Sequence, residues 1–177
     1  MRFISPKIDF AFKKIFGSEQ SKEILISFLN AIIYDGEKII ESLTITNPYN
    51  PRQIISLKET YLDIKATLNN GSIIVIEMQV AIMSGFNKRV AYNLAKAYAN
   101  QLVTGEYYPQ LNPVIALTIT DFILFQETKD VINKFLFQEE KKKMKILEEE
   151  LRLIFVELPK FQKKIDELKS LSDHHSS

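Results

Sequence analysis

The chain has 177 residues, 46% of them hydrophobic, which suffices for one buried core; one domain is expected over residues 1–172, with a disordered tail at 173–177. It contains no cysteine, and its two histidines, His174 and His175, lie in that tail, so disulfide frameworks, Ser-His-Asp or Cys-His catalysis and histidine-bound zinc are all excluded. With a net charge of only +1, any grip on phosphates has to come from positive charge gathered on one surface.

No apolar run is long enough to span a membrane, and the N-terminus lacks a signal-peptide core, so a cytoplasmic protein with no membrane partner is expected. The first helix is punctuated by Ser5 as cap, Pro6 in its first turn, a stripe of Ile8, Phe12, Ile15 and Phe16, and Gly17 as its stop. Asp9 faces away from part of that stripe, four residues before Lys13. It reads either as a helix-start carboxylate paired with Lys13 or as an acidic residue lent to an active site.

A second helix is predicted from about Glu19 to Tyr34, capped by Ser18, with Ile24, Leu25, Phe28, Leu29 and Ile32 on its buried face. Asp35-Gly36 then turns the chain into a strand from about Lys38 to Thr46, and Asn47-Pro48-Tyr49-Asn50-Pro51 breaks regular structure. The stretch 61–80 predicts a hairpin. Leu62, Ile64, Ala66 and Leu68 alternate with Tyr61, Asp63, Lys65 and Thr67; after Asn69-Asn70-Gly71, Ile74, Ile76, Met78 and Val80 alternate with Ile73, Val75, Glu77 and Gln79.

Parity fixes the register. A three-residue loop pairs Leu68 with Ser72, and the same register sets Asp63 directly opposite Glu77; a two-residue loop would mix the faces. Opposed carboxylates have Cβ atoms roughly 5 Å apart and destabilise a sheet unless a cation, a shared proton or an ammonium offsets them. With Lys65 and Gln79 on the same face, an oxygen-rich site for Mg²⁺ or Mn²⁺ is one reading, and the solvated face of a half-exposed hairpin is the other.

Beyond the hairpin, Ser84 and Gly85 introduce a long helix expected to end near Thr104, with Gly105 just past its end. Val90, Leu94, Ala97 and Gln101 lie along one side of it, and Ala91, Ala95, Tyr98 and Leu102 along the next. Lys88 and Arg89 fall in its first turn, where the helix dipole disfavours cations, so they read as phosphate contacts or as plain surface charge. Pro113 to Thr120 is nearly continuous in apolar and β-branched residues and predicts a strand buried on both faces.

Strands are expected at Val131 to Gln138 and Leu151 to Leu158, separated by a charged run that forms an exposed turn or a helical insertion. A short amphipathic helix follows from Phe161 to Leu171. Lys141, Lys142, Lys143 and Lys145 sit among glutamates and read as a solvated face. Helix, three strands, helix, strand makes an α/β (α+β) fold with a mixed sheet flanked by helices.

An aspartate on one strand, a hairpin, and Glu-x-Gln on the next resemble the PD-(D/E)xK nuclease superfamily. More narrowly, Tyr61–Ala66, Ile76–Gln79 and Gly85–Tyr92, with the opening Lys7–Gly17 and the late Glu157–Phe161, are similar to the recombination-promoting nuclease and transposase family. The resemblance implies a restriction-endonuclease-like αβββαβ core with a C-terminal β-hairpin and helix extension. It also implies a metal-dependent DNA endonuclease using Mg²⁺ or Mn²⁺, bound by Asp63, Glu77 and the Met78 carbonyl, with DNA as partner and Asp9 as an additional acidic group.

Most superfamily members carry a lysine where this chain has Gln79, whereas glutamine is the variant expected in the narrower family. Gln79 can orient water but cannot supply charge. Lys65 is the candidate for that charge, with Lys13, Lys88 and Arg89 as candidate DNA contacts. Double-strand cutting would call for two active sites, which makes a homodimer one arrangement to test. Carboxylate-pair glycoside hydrolysis lacks an evident aromatic cleft. The competing function is a catalytically inactive DNA- or protein-binding relic of the same fold.

Overall fold

The computed structural model describes Phe12 and residues 16–46 and 64–161. Asp9, Lys13, Asp63, the proline loop at 47–51 and the histidine tail lie outside the described residues, as does nearly all of the first predicted helix.

A 3₁₀ turn at Glu19–Ser21 leads into helix α1 (Lys22–Ile33), whose Leu25, Leu29, Ile32 and Ile33 are buried. Ser18 starts the turn but makes no side-chain capping bond to the backbone. Ile24, expected inside, is 54% exposed, because the buried stripe runs through 25, 29, 32 and 33 and leaves position 24 to one side. The strand expected from Lys38 shortens to β1 (Leu43–Ile45) for an identifiable reason. Buried Asn30 donates to the carbonyl of Ile40 at 2.9 Å and accepts from its N–H at 2.8 Å, taking both backbone groups that a sheet partner would need.

β2 (Ile64–Leu68) and β3 (Ile73–Gln79) form the predicted hairpin in the predicted register. Ile64 pairs with Ile76 and Ala66 with Ile74, and the Leu68 N–H donates to the Ser72 carbonyl at 2.8 Å. Gly71 sits at φ +87°, and the Asn70 side chain accepts the Ser72 N–H at 3.0 Å, closing the loop.

Helix α2 (Phe86–Ala99) crosses over to β4 (Val114–Thr120), which runs parallel to β3 and is buried along its whole length. The helix stops at Ala99, short of Thr104. There the Gln101 carboxamide leaves the helical path to pair with the Asn112 backbone, at 2.9 Å to its carbonyl and 2.8 Å to its N–H. Ala91 and Ala95 are consequently exposed, and the face turned inward is Phe86, Val90, Asn93, Leu94 and Ala97.

β5 (Ile132–Phe135) and β6 (Leu151–Glu157) extend the same sheet, whose order is β1-β2-β3-β4-β6-β5. β6 lies parallel to β4, while β5 is antiparallel to β6. The charged run between them is a turn closed by a bridge between Gln138 and Lys145. Backbone N–H groups of Lys142 and Lys141, the first having the larger effect, hold the Glu139 carboxyl below its usual range. One face of the sheet packs Ile64, Ile74, Ile76, Leu117 and Ile154 on Leu25 and Leu29 of α1. The other packs Val75, Val114 and Ala116 on Leu94 and Ala97 of α2, and Phe155 on Phe86 and Val90. Among the described residues no helix is long and apolar enough to cross a membrane.

The end of β6 is fixed by a second polar device. Glu157, fully buried, accepts the N–H groups of Leu124 and Phe125 at 2.6 and 3.1 Å on one oxygen. Its other oxygen takes Asn133 Nδ2 at 3.0 Å and Lys160 Nζ at 2.6 Å. Lys160 also donates to the Phe125 carbonyl at 2.8 Å, so the ion pair and its surrounding backbone satisfy one another. Residues 158–161 are helical, and Pro159, rather than merely ending the strand, occupies this first turn, where its missing N–H costs nothing.

Two outcomes are expected from these contacts. Lys160→Met strands a buried carboxylate and should lower unfolding free energy by about 3 kcal/mol in chemical denaturation. Gly71→Ala should cost more than about 1 kcal/mol in the same assay, because alanine is strained at positive φ and its Cβ would meet Asn112 Oδ1 at 2.8 Å.

Candidate active site

Glu77 is 7% exposed, on a strand whose alternation points it to the same face as Val75 and Gln79. That face is not left to solvent: α2 lies over it. A carboxylate taken out of water needs donors, and α2 supplies two from positions four apart on one helix face. Arg89 places its Nη2 on Glu77 Oε1, and Asn93 donates its Nδ2 to Glu77 Oε2 at 3.2 Å. The same Arg89 Nη2 also reaches Gln79 Oε1, while Nη1 meets Met83 Sδ at 2.9 Å. Gln79 uses its own Nε2 to donate to the Ala81 carbonyl at 2.8 Å, which fixes its oxygen toward the arginine.

The geometry also accounts for the cations in the first turn of α2. Helix α2 begins at Gly85, at φ +74°, with no acidic residue in its opening turn. The Glu77 carboxylate from the neighbouring strand pairs with Arg89 and offsets its charge. Lys88, by contrast, points outward and is exposed.

Lys65 stands opposite Val75 in the ladder, on the α2 side of the sheet and one diagonal step from Glu77, a spacing of roughly 7 Å. Met78 lies on the opposite side, its side chain packed with the α1-facing core. The structure therefore gathers Lys65, Glu77, Gln79 and Arg89 at one face, with Lys88 at its rim. Asp63, Asp9 and Lys13, the other sequence candidates, are outside the described residues.

Asn93 was missed in the sequence. The signal for it was present, because a carboxamide interrupts the otherwise apolar stripe of Phe86, Val90, Leu94 and Ala97, and an uncompensated amide is costly there. It is 4% exposed and borders a small cavity that Val75, Glu77, Val90, Ala116 and Thr118 also line. Its Oδ1 has no hydrogen-bond partner among the described residues.

The metal-ligating groups that Arg89 brings together here are oxygens: the Glu77 carboxylate and the Gln79 carboxamide. Hard divalent cations such as Mg²⁺ prefer such donors. Among the described residues no cluster of three or more acidic, histidine or cysteine side chains forms.

Neither a search of curated proteins nor a search of solved structures finds a match. The family model described as PD-(D/E)XK nuclease family transposase matches residues 6–174, nearly the whole chain. A six-stranded mixed sheet flanked by helices, with the Glu-x-Gln strand at its centre, is consistent with that family's restriction-endonuclease-like architecture. The chain belongs to the PD-(D/E)XK nuclease family of transposases.

Proposed function

We propose that this protein is a divalent-metal-dependent DNA endonuclease of the kind that serves recombination and mobile elements. The observation that carries the reading is the hairpin register. It sets Lys65, Glu77 and Gln79 on one face beneath α2, and continued by one pair it would bring Asp63 opposite Glu77. Family membership supports nuclease chemistry in general, and the oxygen-only donor set supports a hard cation in particular.

In this reading Asp63 and Glu77 hold the metal, with the Met78 carbonyl as a third ligand by family likeness. Once bound, a divalent cation supplies Lewis-acid polarisation of the phosphoryl group and a lowered pKa for water. Gln79 orients the attacking water through its carboxamide but brings no charge. Lys65 brings that charge from the adjacent strand. Exposed Lys88 and, beyond the described residues, Lys13 contact DNA phosphates and position the backbone without reading sequence.

Incubation of the purified chain with supercoiled plasmid and Mg²⁺ or Mn²⁺ tests the assignment. Nicking that EDTA abolishes is expected. Asp63→Ala and Glu77→Ala should each lose more than roughly 100-fold, since even outer partners of metal ligands cost up to about that much. Unchanged cutting in both variants would assign the activity to a contaminant and favour a binding relic. Lys65→Met should lower cleavage by roughly 100-fold, the scale of losing one charge-stabilising group, while leaving plasmid retention in a gel-shift assay nearly unchanged. Equal rates for that variant and the parent would remove Lys65 from the mechanism.

A further inference from the structure

Arg89 occupies the position that a catalytic cation would contest. Its Nη2 is shared between Glu77 Oε1 and Gln79 Oε1, the two groups to which the nuclease reading assigns metal and water. A divalent cation held by Glu77 would bring a second positive charge against a carboxylate that already pairs with the guanidinium. Repulsion between two cations on one carboxylate sets the metal and the guanidinium in competition for Glu77.

Several features make the arginine the group that moves. It is in the first turn of α2, with 31% of its side chain exposed, whereas the Glu77 side chain is 10% exposed on a central strand. Its outer nitrogen is held by a thioether, a weak acceptor, on Met83, which is itself 44% exposed in the connection between β3 and α2. Its Nε is buried without a partner among the described residues, a cost that leaving the site would remove. Asn93, on the buried side of the helix, holds the second Glu77 oxygen, a contact that does not involve the arginine.

We propose that Arg89 is an internal stand-in for the metal: a latch that neutralises Glu77 and aligns Gln79 until a divalent cation displaces it. Displacement then frees the guanidinium for a phosphate oxygen of the bound strand. The inference rests on the nuclease reading above. It provides a cation beside Gln79, where glutamine itself has none. It also makes metal binding an exchange of one positive charge for another rather than the filling of a bare acidic cavity.

Mn²⁺ binding to the full chain, followed by isothermal titration calorimetry and by the thermal-melting shift from EDTA to Mn²⁺, tests the exchange. Arg89→Met should bind Mn²⁺ roughly 10-fold more tightly than the parent, within the usual range for coupled sites. It should also melt lower in EDTA and gain more in melting temperature from the metal, yet cleave plasmid more slowly at saturating Mn²⁺. Arg89→Lys, which keeps the charge but cannot bridge two acceptors, should fall between the two in affinity; it carries the test if the methionine variant fails to fold. Affinity that is unchanged or weaker in the folded variants, with the parent still binding and cutting, overturns the latch alone. Absence of Mn²⁺ binding in parent and variants overturns the latch together with the nuclease assignment.

Discussion

A carboxylate buried at the centre of a sheet is tolerable only if donors are built to meet it, and Glu77 imposes that requirement on everything around it. Helix α2 has to begin where it does so that Arg89 and Asn93, one turn apart, fall over the two carboxylate oxygens. Its apolar residues then dock the rest of the helix on β3, β4 and β6. The packing of the crossover helix and the electrostatics of the site are thus one constraint. Moving the helix to improve either would spoil the other.

Glu157 shows what the same problem looks like when it is solved for stability. Its two oxygens are met by two backbone N–H groups, an asparagine and a lysine, and among these contacts no polar atom is left over. Around Glu77 two polar atoms, Arg89 Nε and Asn93 Oδ1, have no partner among the described residues. Incomplete satisfaction is costly, and proteins concentrate such costs where chemistry or exchange requires them. The contrast separates a carboxylate whose surroundings are fully paired from one whose neighbours are not.

Alternation and loop length made the hairpin register and the fully buried β4 legible in the sequence, because both depend on local rules that tertiary contacts here reinforce. What escaped was decided by single long-range side chains. Asn30 took the backbone of Ile40 out of β1, and Gln101 ended α2 by reaching Asn112. Of the site, Lys65, Glu77 and Gln79 could be placed on one face by parity alone. The inward turn of Arg89 could not, since a cation in a helix's opening turn reads equally well as solvated until the strand beneath it is known. The Glu157 and Lys160 pair entered only within a segment that carries the family resemblance, for nothing local shows that Leu124, Phe125 and Asn133 close over it.

The described groups of the site, from Lys65 through Glu77 and Gln79 to Arg89 and Asn93, come from one unbroken stretch comprising a hairpin and the helix after it. The sheet that supports them continues through β4 and β6, whose pairings, Ile73 with Val114 and Val114 with Leu151, each close a much longer loop of chain. Local contacts form before distant ones because less entropy is spent in closing them. The polar constellation therefore belongs to the part of the molecule able to assemble first, and the strands that close the longer loops contribute rigidity rather than reagents.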